Sequence, residues 1–183
     1  MPTLKLSFVL FLFAACATPG AVPTAEFAPT PYTAEQIRLA TKVGRTYDWR
    51  VEMPGKPVAH RVITFTRVAE ADLDTTSTMV SDDGATQLAP PKVTHATWEE
   101  LRKHAEFPKS AVVIDEEKIT VPAGSSDCLT YTVTEGSGSE AEVTRFYFAK
   151  DMPGAPVMFT TDKGGVRVMT STLVRYSDGA AKP

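Results

Sequence analysis

The chain has 183 residues, 43% of them hydrophobic, with 19 basic against 22 acidic side chains and a formal net charge of −3. A mildly acidic balance of this kind gives no electrostatic reason to bind nucleic acid or an anionic membrane face, both of which call for clustered Lys and Arg. Two cysteines cannot make a disulfide-stapled scaffold, so any domain here must stand on a hydrophobic core.

The chain opens MPTLKLSFVLFLFAAC, with Lys5 ahead of an unbroken apolar run from Phe8 through Ala15. That is the layout of an export signal. Crossing a bilayer takes about 20 apolar residues, and this run is too short to stay as a span. Phe13-Ala14-Ala15-Cys16 resembles the bacterial lipobox. The resemblance implies a signal peptide over residues 1–15, a lipid on the Cys16 thiol, and Cys16 as the mature N-terminus, with the membrane as a partner through that lipid. Ala17, a non-Asp residue in the next position, is similar to the outer-membrane sorting signal of enteric bacteria. The expected location is therefore the bacterial cell envelope, lipid-anchored at the outer membrane. The alternative is an ordinary secretory signal cut at or just after Ala15, which gives a periplasmic or secreted protein. Removing residues 1–15 takes away Lys5 alone, leaving 18 basic against 22 acidic groups, a net −4. With Cys16 acylated, Cys128 has no partner for an intramolecular disulfide.

Residues 16–32 carry Pro19, Pro23, Pro29 and Pro31 and almost no charge. Proline-rich chain favours extended geometry, so this segment is expected to be a semi-rigid stalk of roughly 50 Å, or simply disordered. A β-rich domain is expected over residues 33–176, with a frayed tail at 177–183. Thr33 and Gln36 form a capping box for a first helix, Gly44 suits its C-cap, and Ile37, Ala40 and Val43 share its apolar face. TYDWRVE then alternates Tyr47, Trp49 and Val51 against Asp48, Arg50 and Glu52, the period of a strand. RVITFTRV and LDTTSTMV continue in that style to a turn at Asp82-Asp83-Gly84. LAPPKVTHATWEELRKHAEFP interrupts the strands with a second capping box, Thr97 and Glu100, and Pro108 ends that helix. SAVVID, KITVP, CLTYTV, VTRFYFA, PVMFTT and VRVMTSTLVRY follow as strands, separated by GSGS, DMPG and DKGG turns. The total is about nine strands and two short helices, a mainly β fold built on an antiparallel curved sheet, either half-barrel or sandwich. MPGKPV at 53–58 recurs as MPGAPV at 152–157, so two hairpins share a Pro-Gly turn, by convergence or by duplication of a pseudo-symmetric unit.

No catalytic group, metal site or cofactor motif is expected. His60, His95 and His104 fit no zinc spacing. Glu100 and His104 share a helix face as an i,i+4 pair, which suits a surface ion pair. Cys128, in DCLTYTV, reads as a small buried thiol packed in a strand. There is no G-x-S-x-G and no phosphate-cradling glycine loop. A hydrolase using His104 or Cys128 is the weaker alternative.

What stands out is the aromatic supply on strands: Tyr47, Trp49, Phe65, Phe146, Phe148 and Phe159. One reading has helices cover one face of the sheet while these residues fill the core. The other has them line an apolar-ligand cavity, which needs a volume of at least several hundred Å³, roughly that of drug-sized sites. The order of elements across residues 33–176, an initial helix, a long antiparallel run and a helical interruption, resembles the half-barrel lipoprotein-carrier architecture. That resemblance implies a curved sheet and an apolar cargo such as lipid, and assigns no residue. GSSDCLTYTV and FYFAKDMPGAPV are also similar to uncharacterised exported bacterial proteins. The expected function is non-enzymatic binding of an apolar ligand or a protein partner at the envelope. The alternative is a structural or interaction module with a dry core.

Overall fold

The computed structural model describes residues 26–179. The lipobox, Cys16 and most of the proline-rich segment lie outside the described residues, as do residues 180–183 of the expected tail.

The architecture is a single antiparallel sheet with two helices on one face. In chain order the elements are α1 (Ala34–Ala40), β1 (Arg45–Glu52), β2 (Ala59–Val68), β3 (Asp72–Ser81), β4 (Gln87–Thr97), α2 (Trp98–Lys103), β5 (Val112–Val121), β6 (Gly124–Glu135), β7 (Glu142–Ala149), β8 (Met158–Lys163) and β9 (Val166–Asp178). The nine strands lie side by side as β4-β3-β2-β1-β9-β8-β7-β6-β5. Two meanders therefore meet where β1 pairs with β9, and β4 and β5 remain as free edges of an open sheet. No second sheet faces it among the described residues, which leaves the half-barrel side of the expected pair rather than the sandwich. The tip of the β5–β6 hairpin bends back far enough for the Ala123 N–H to donate to Leu173 O of β9 (3.3 Å), curling that half of the sheet.

Both capping boxes form. The Thr33 hydroxyl accepts from Gln36 N and the Gln36 side chain accepts from Thr33 N, and Thr97 and Glu100 do the same for α2. Each satisfies two orphan amides of a very short helix. Ile37 and Trp98 then join Tyr47, Phe65 and Leu73 in one buried cluster, and the Trp98 indole N–H donates to Ala69 O (3.1 Å). Helices of 7 and 6 residues could not persist alone, so this packing holds them.

Several local expectations need correction. Thr41, in extended conformation, ends α1; Gly44 instead takes φ +85° at the turn into β1, where its N–H donates to Phe65 O (2.8 Å), and Val43 is exposed. LAPPKVTHAT does not interrupt the sheet, because it forms β4. Proline is tolerated there because β4 is an edge and Pro90 and Pro91 fall in an irregular stretch between the Met79↔Ala89 and Ser77↔Lys92 pairs. SAVVID and KITVP are one strand, β5, since the acidic run between them is carried on the other free edge. β9 continues through Tyr176 to Asp178.

The described part of the proline-rich segment, residues 26–32, lies against the domain. The Ala28 N–H donates to Phe107 O (3.0 Å), Lys109 N to Glu26 O (2.8 Å), and the Tyr131 hydroxyl to Pro29 O (2.8 Å). Tyr32 is buried. The two MPG turns sit at opposite ends of the sheet, since β1 and β7 run in opposite directions. Lys56 N closes the first on Met53 O (3.1 Å), an exposed turn, whereas Gly154 of the second packs onto the core. The two turns share a sequence but not an environment.

Candidate functional site

Strand alternation sorts β1 between the two faces. Arg45, Tyr47, Trp49 and Val51 point to the helix-covered side and are buried; Thr46, Asp48, Arg50 and Glu52 point to the open side.

On the covered side the six aromatic residues divide into two packed groups. Tyr47 stacks on Trp49 (ring centroids 5.0 Å, 6° between planes) and contacts Phe65 (6.4 Å). Phe146 contacts Phe148 (6.1 Å) and Phe159 (5.7 Å), and Phe107, which sequence periodicity did not single out, stacks on Phe146 at 5.3 Å. Tyr32 and Tyr131 close edge-on around Phe148 at 6.1 and 5.4 Å. The Trp49 indole N–H is spent on Pro156 O (3.0 Å). These rings are in contact with one another, as core residues are.

Two surface grooves stand out among the described residues, and none of the six lines either. One, of about 430 Å³, is bounded by Glu116, Glu117, Lys118, Asp127, Cys128 and Lys150. The other, of about 330 Å³, is bounded by Thr46, Asp48, Val62, Arg175, Tyr176 and Ser177 on the open face.

The open face is polar and rich in hydroxyls. Ser177, Thr46, Thr64 and Thr76 fall in one cross-strand row from β9 to β3, and the Thr46 and Thr64 hydroxyls are 3.2 Å apart. Its centre is Asp48, whose side chain is only 4% exposed. Arg175 Nε and Nη2 donate to Asp48 Oδ2 (2.8 and 2.6 Å), and His60 Nδ1 lies 2.7 Å from Oδ1. A carboxylate this buried holds only because two donors satisfy it. Beyond His60, its Nε2 lies 3.4 Å from Asp82 Oδ1. A second such cluster stands on the same face nearer the β4 edge. Arg67 Nε donates to Asp74 Oδ2 (2.6 Å) and His95 Nδ1 lies 2.8 Å from Oδ1, so the arginine first and the histidine second hold the Asp74 carboxyl down at about 2. Alternation placed Asp48 outward but could not show that it is buried there.

The remaining sequence candidates separate. Among the described residues no group of three or more His, Cys, Asp or Glu is placed to hold a metal ion. Glu100 is engaged by its own cap, accepting from Thr97 N (2.7 Å), rather than by His104. Cys128 is fully buried, its thiol 3.7 Å from Ser126 O, and burial together with Asp151 pushes it up to about 11. A thiol so held is the reverse of an activated nucleophile.

No family model matches the chain, and no curated protein matches it. Among solved structures it is similar to a protein of Parabacteroides distasonis provisionally described as a lipoprotein, at 8% identity with a TM-score of 0.50, over 83% of this chain and 100% of that one. A protein of Bacteroides fragilis, provisionally described as exported and with YmcC-like fold, gives 10% identity and a TM-score of 0.47 over 75% and 97%. A hypothetical protein of Chlamydia trachomatis gives 8% and 0.44 over 83% and 98%. At such identities the first likeness shows a shared fold and no activity, and the two lower scores carry no argument.

Proposed function

We propose that this is a non-enzymatic protein of the bacterial envelope, anchored through a lipid on Cys16, with a packed core and an open sheet face that receives a protein partner. The observation that carries the reading is the division of labour between the faces. Tyr47, Trp49, Phe65, Phe146, Phe148 and Phe159 are committed to ring contacts on the helix-bearing face, while the opposite face, over β1, β2, β3 and β9, bears no helix among the described residues and presents hydroxyls and paired charges. Export and anchoring are supported by the FAAC junction and by the shared fold with a protein provisionally described as a lipoprotein. Ala17 after the cysteine favours the outer membrane.

The test has two parts, both in the intact chain. Cys16→Ser should move the protein from the membrane to the soluble fraction, and retention in membranes after a carbonate wash would refute the anchor. A photo-crosslinking residue at Thr64 or Thr78, both on the open face, should give a discrete adduct in the envelope that is absent when the same residue replaces exposed Leu39 on α1. Adducts from Leu39 alone would refute the open-face reading.

A further inference from the structure

The chain enters the domain along a path fixed at both ends. Glu26 O accepts from Lys109 N (2.8 Å) and the Glu26 carboxylate from Lys109 Nζ (2.9 Å), while the buried Tyr32 donates its hydroxyl to Ala149 O. Between these ends Phe27 bridges to Pro108, the Ala28 N–H donates to Phe107 O, and Pro29 O accepts from the Tyr131 hydroxyl. Residues 26–32 are thus a strap bonded to the domain, and the point where the upstream chain meets the domain is set at Lys109.

Strand register shows which end of the sheet that point belongs to. Lys109 stands just ahead of Val112, where β5 begins. Val112 pairs with Val133 near the end of β6, Glu135 with Glu142, Glu142 with Lys163, and Lys163 with Val166. The start of β5 and the hairpin tips at 136–141 and 164–165 therefore share one end, and the two tips are joined by Gly164 N donating to Ala141 O (3.1 Å). Tyr32 is bonded at the other end, since Ala149 is the last residue of β7. The strap runs from the α1 end of the sheet to the tip end.

Glu26 lies ten positions after Cys16. A chain spans at most about 3.6 Å per residue, so a lipid at Cys16 keeps the tip end within about 36 Å of the bilayer. β6 alone, with 12 residues, is roughly 40 Å long. The tether is thus no longer than the body it holds, and it holds that body by one end. Glu135, Glu140 and Glu142 outnumber Lys163 at the tips, so attraction to anionic lipid does not supply the orientation.

We propose that the strap sets the stance of the domain: the end bearing the 136–141 and 164–165 tips faces the lipid surface that holds Cys16, and the α1 end points away from it. The open face is then turned sideways, where a partner reaches Asp48 without crossing lipid. This rests on the lipid anchor at Cys16 and adds to it the surface that the bilayer meets.

The test is energy transfer from a fluorophore on an introduced cysteine to acceptor-labelled lipid, using the full acylated chain in phosphatidylcholine vesicles, whose zwitterionic surface leaves the tether to act alone. Ser137→Cys and Ala123→Cys, both exposed, mark the two ends of β6, and the chain without either cysteine gives the background, Cys128 being buried. Transfer from position 137 should exceed that from position 123 severalfold. Inserting about twenty Gly and Ser residues between Thr24 and Ala25, enough to free the exit point, should erase the difference. Equal or reversed transfer in the anchored chain, or a difference that survives the insertion, would overturn the proposal and leave the anchor standing. Adding Cys16→Ser should abolish transfer from both positions; transfer that persists there would refute the anchor itself and the stance with it.

Discussion

Asp74 shows how much of the open face is set by individual donors. Arg67 and His95 favour its charged form, so its folded value near 2 lies below the ordinary 3.8. A depressed carboxyl stabilises the fold above its ordinary value, and the contribution is lost as pH falls through about 2. An NMR titration should therefore place Asp74 near 2, and Arg67→Met should return it most of the way to 3.8; a wild-type midpoint already at the ordinary value would contradict the pairing. Cys128 is shifted the other way. Its thiolate is disfavoured by burial, so the folded chain keeps the thiol proton up to about 11, and stability falls as pH climbs from the ordinary 9.0 toward that value. The native thiol is expected to stay unreactive to Ellman's reagent near neutrality and to titrate fully once denaturant is added; rapid native reaction would show an accessible sulfur. Arg45 and Asp48 mark where reading the sequence stops at this scale. Alternation assigns a side chain to a face, but the cost of burying its charge depends on groups that come from elsewhere in the chain: Arg175 for Asp48, and the Tyr176 ring for Arg45.

At the scale of elements, local chemistry was legible and pairing was not. Thr33-Gln36 and Thr97-Glu100 act within one turn, and both helices begin where those boxes place them. The β4 strand was missed because Pro90-Pro91 argues against a ladder, and only the knowledge that this strand is an edge removes the objection. Its counterpart is the division of β5 into two strands at a charged run that an edge can carry. The two misreadings cancel in the count of nine. Edge prolines also protect against strand addition. Replacing both Pro90 and Pro91 with Thr should change monomer stability by only about 0.5 kcal/mol, a typical surface effect, while promoting concentration-dependent association in sedimentation velocity. A variant that stays monomeric at every concentration would mean that the curl of the sheet, not proline, guards this edge.

For the molecule as a whole, the aromatic supply was visible in the sequence, but whether it lines a cavity or fills a core was not, because both arrangements use the same strand faces. The decision falls to residues far away in the chain. Phe107 after α2, Tyr32 ahead of α1 and Tyr131 on β6 pack around Phe146 and Phe148. Small helices suffice to cover the rest, since Ile37 and Trp98 reach the centre of the cluster. On the proposed reading, a partner is met on the outside, at the hydroxyl-rich face around Asp48. The most direct measurement is native mass spectrometry of the mature Cys16→Ser chain, exported in a bacterial host and purified without detergent, followed by organic extraction. A packed core predicts the mass of the polypeptide alone and an extract free of stoichiometric lipid, whereas a co-purifying lipid at one per chain would contradict it and return the six aromatic residues to the role of cargo lining.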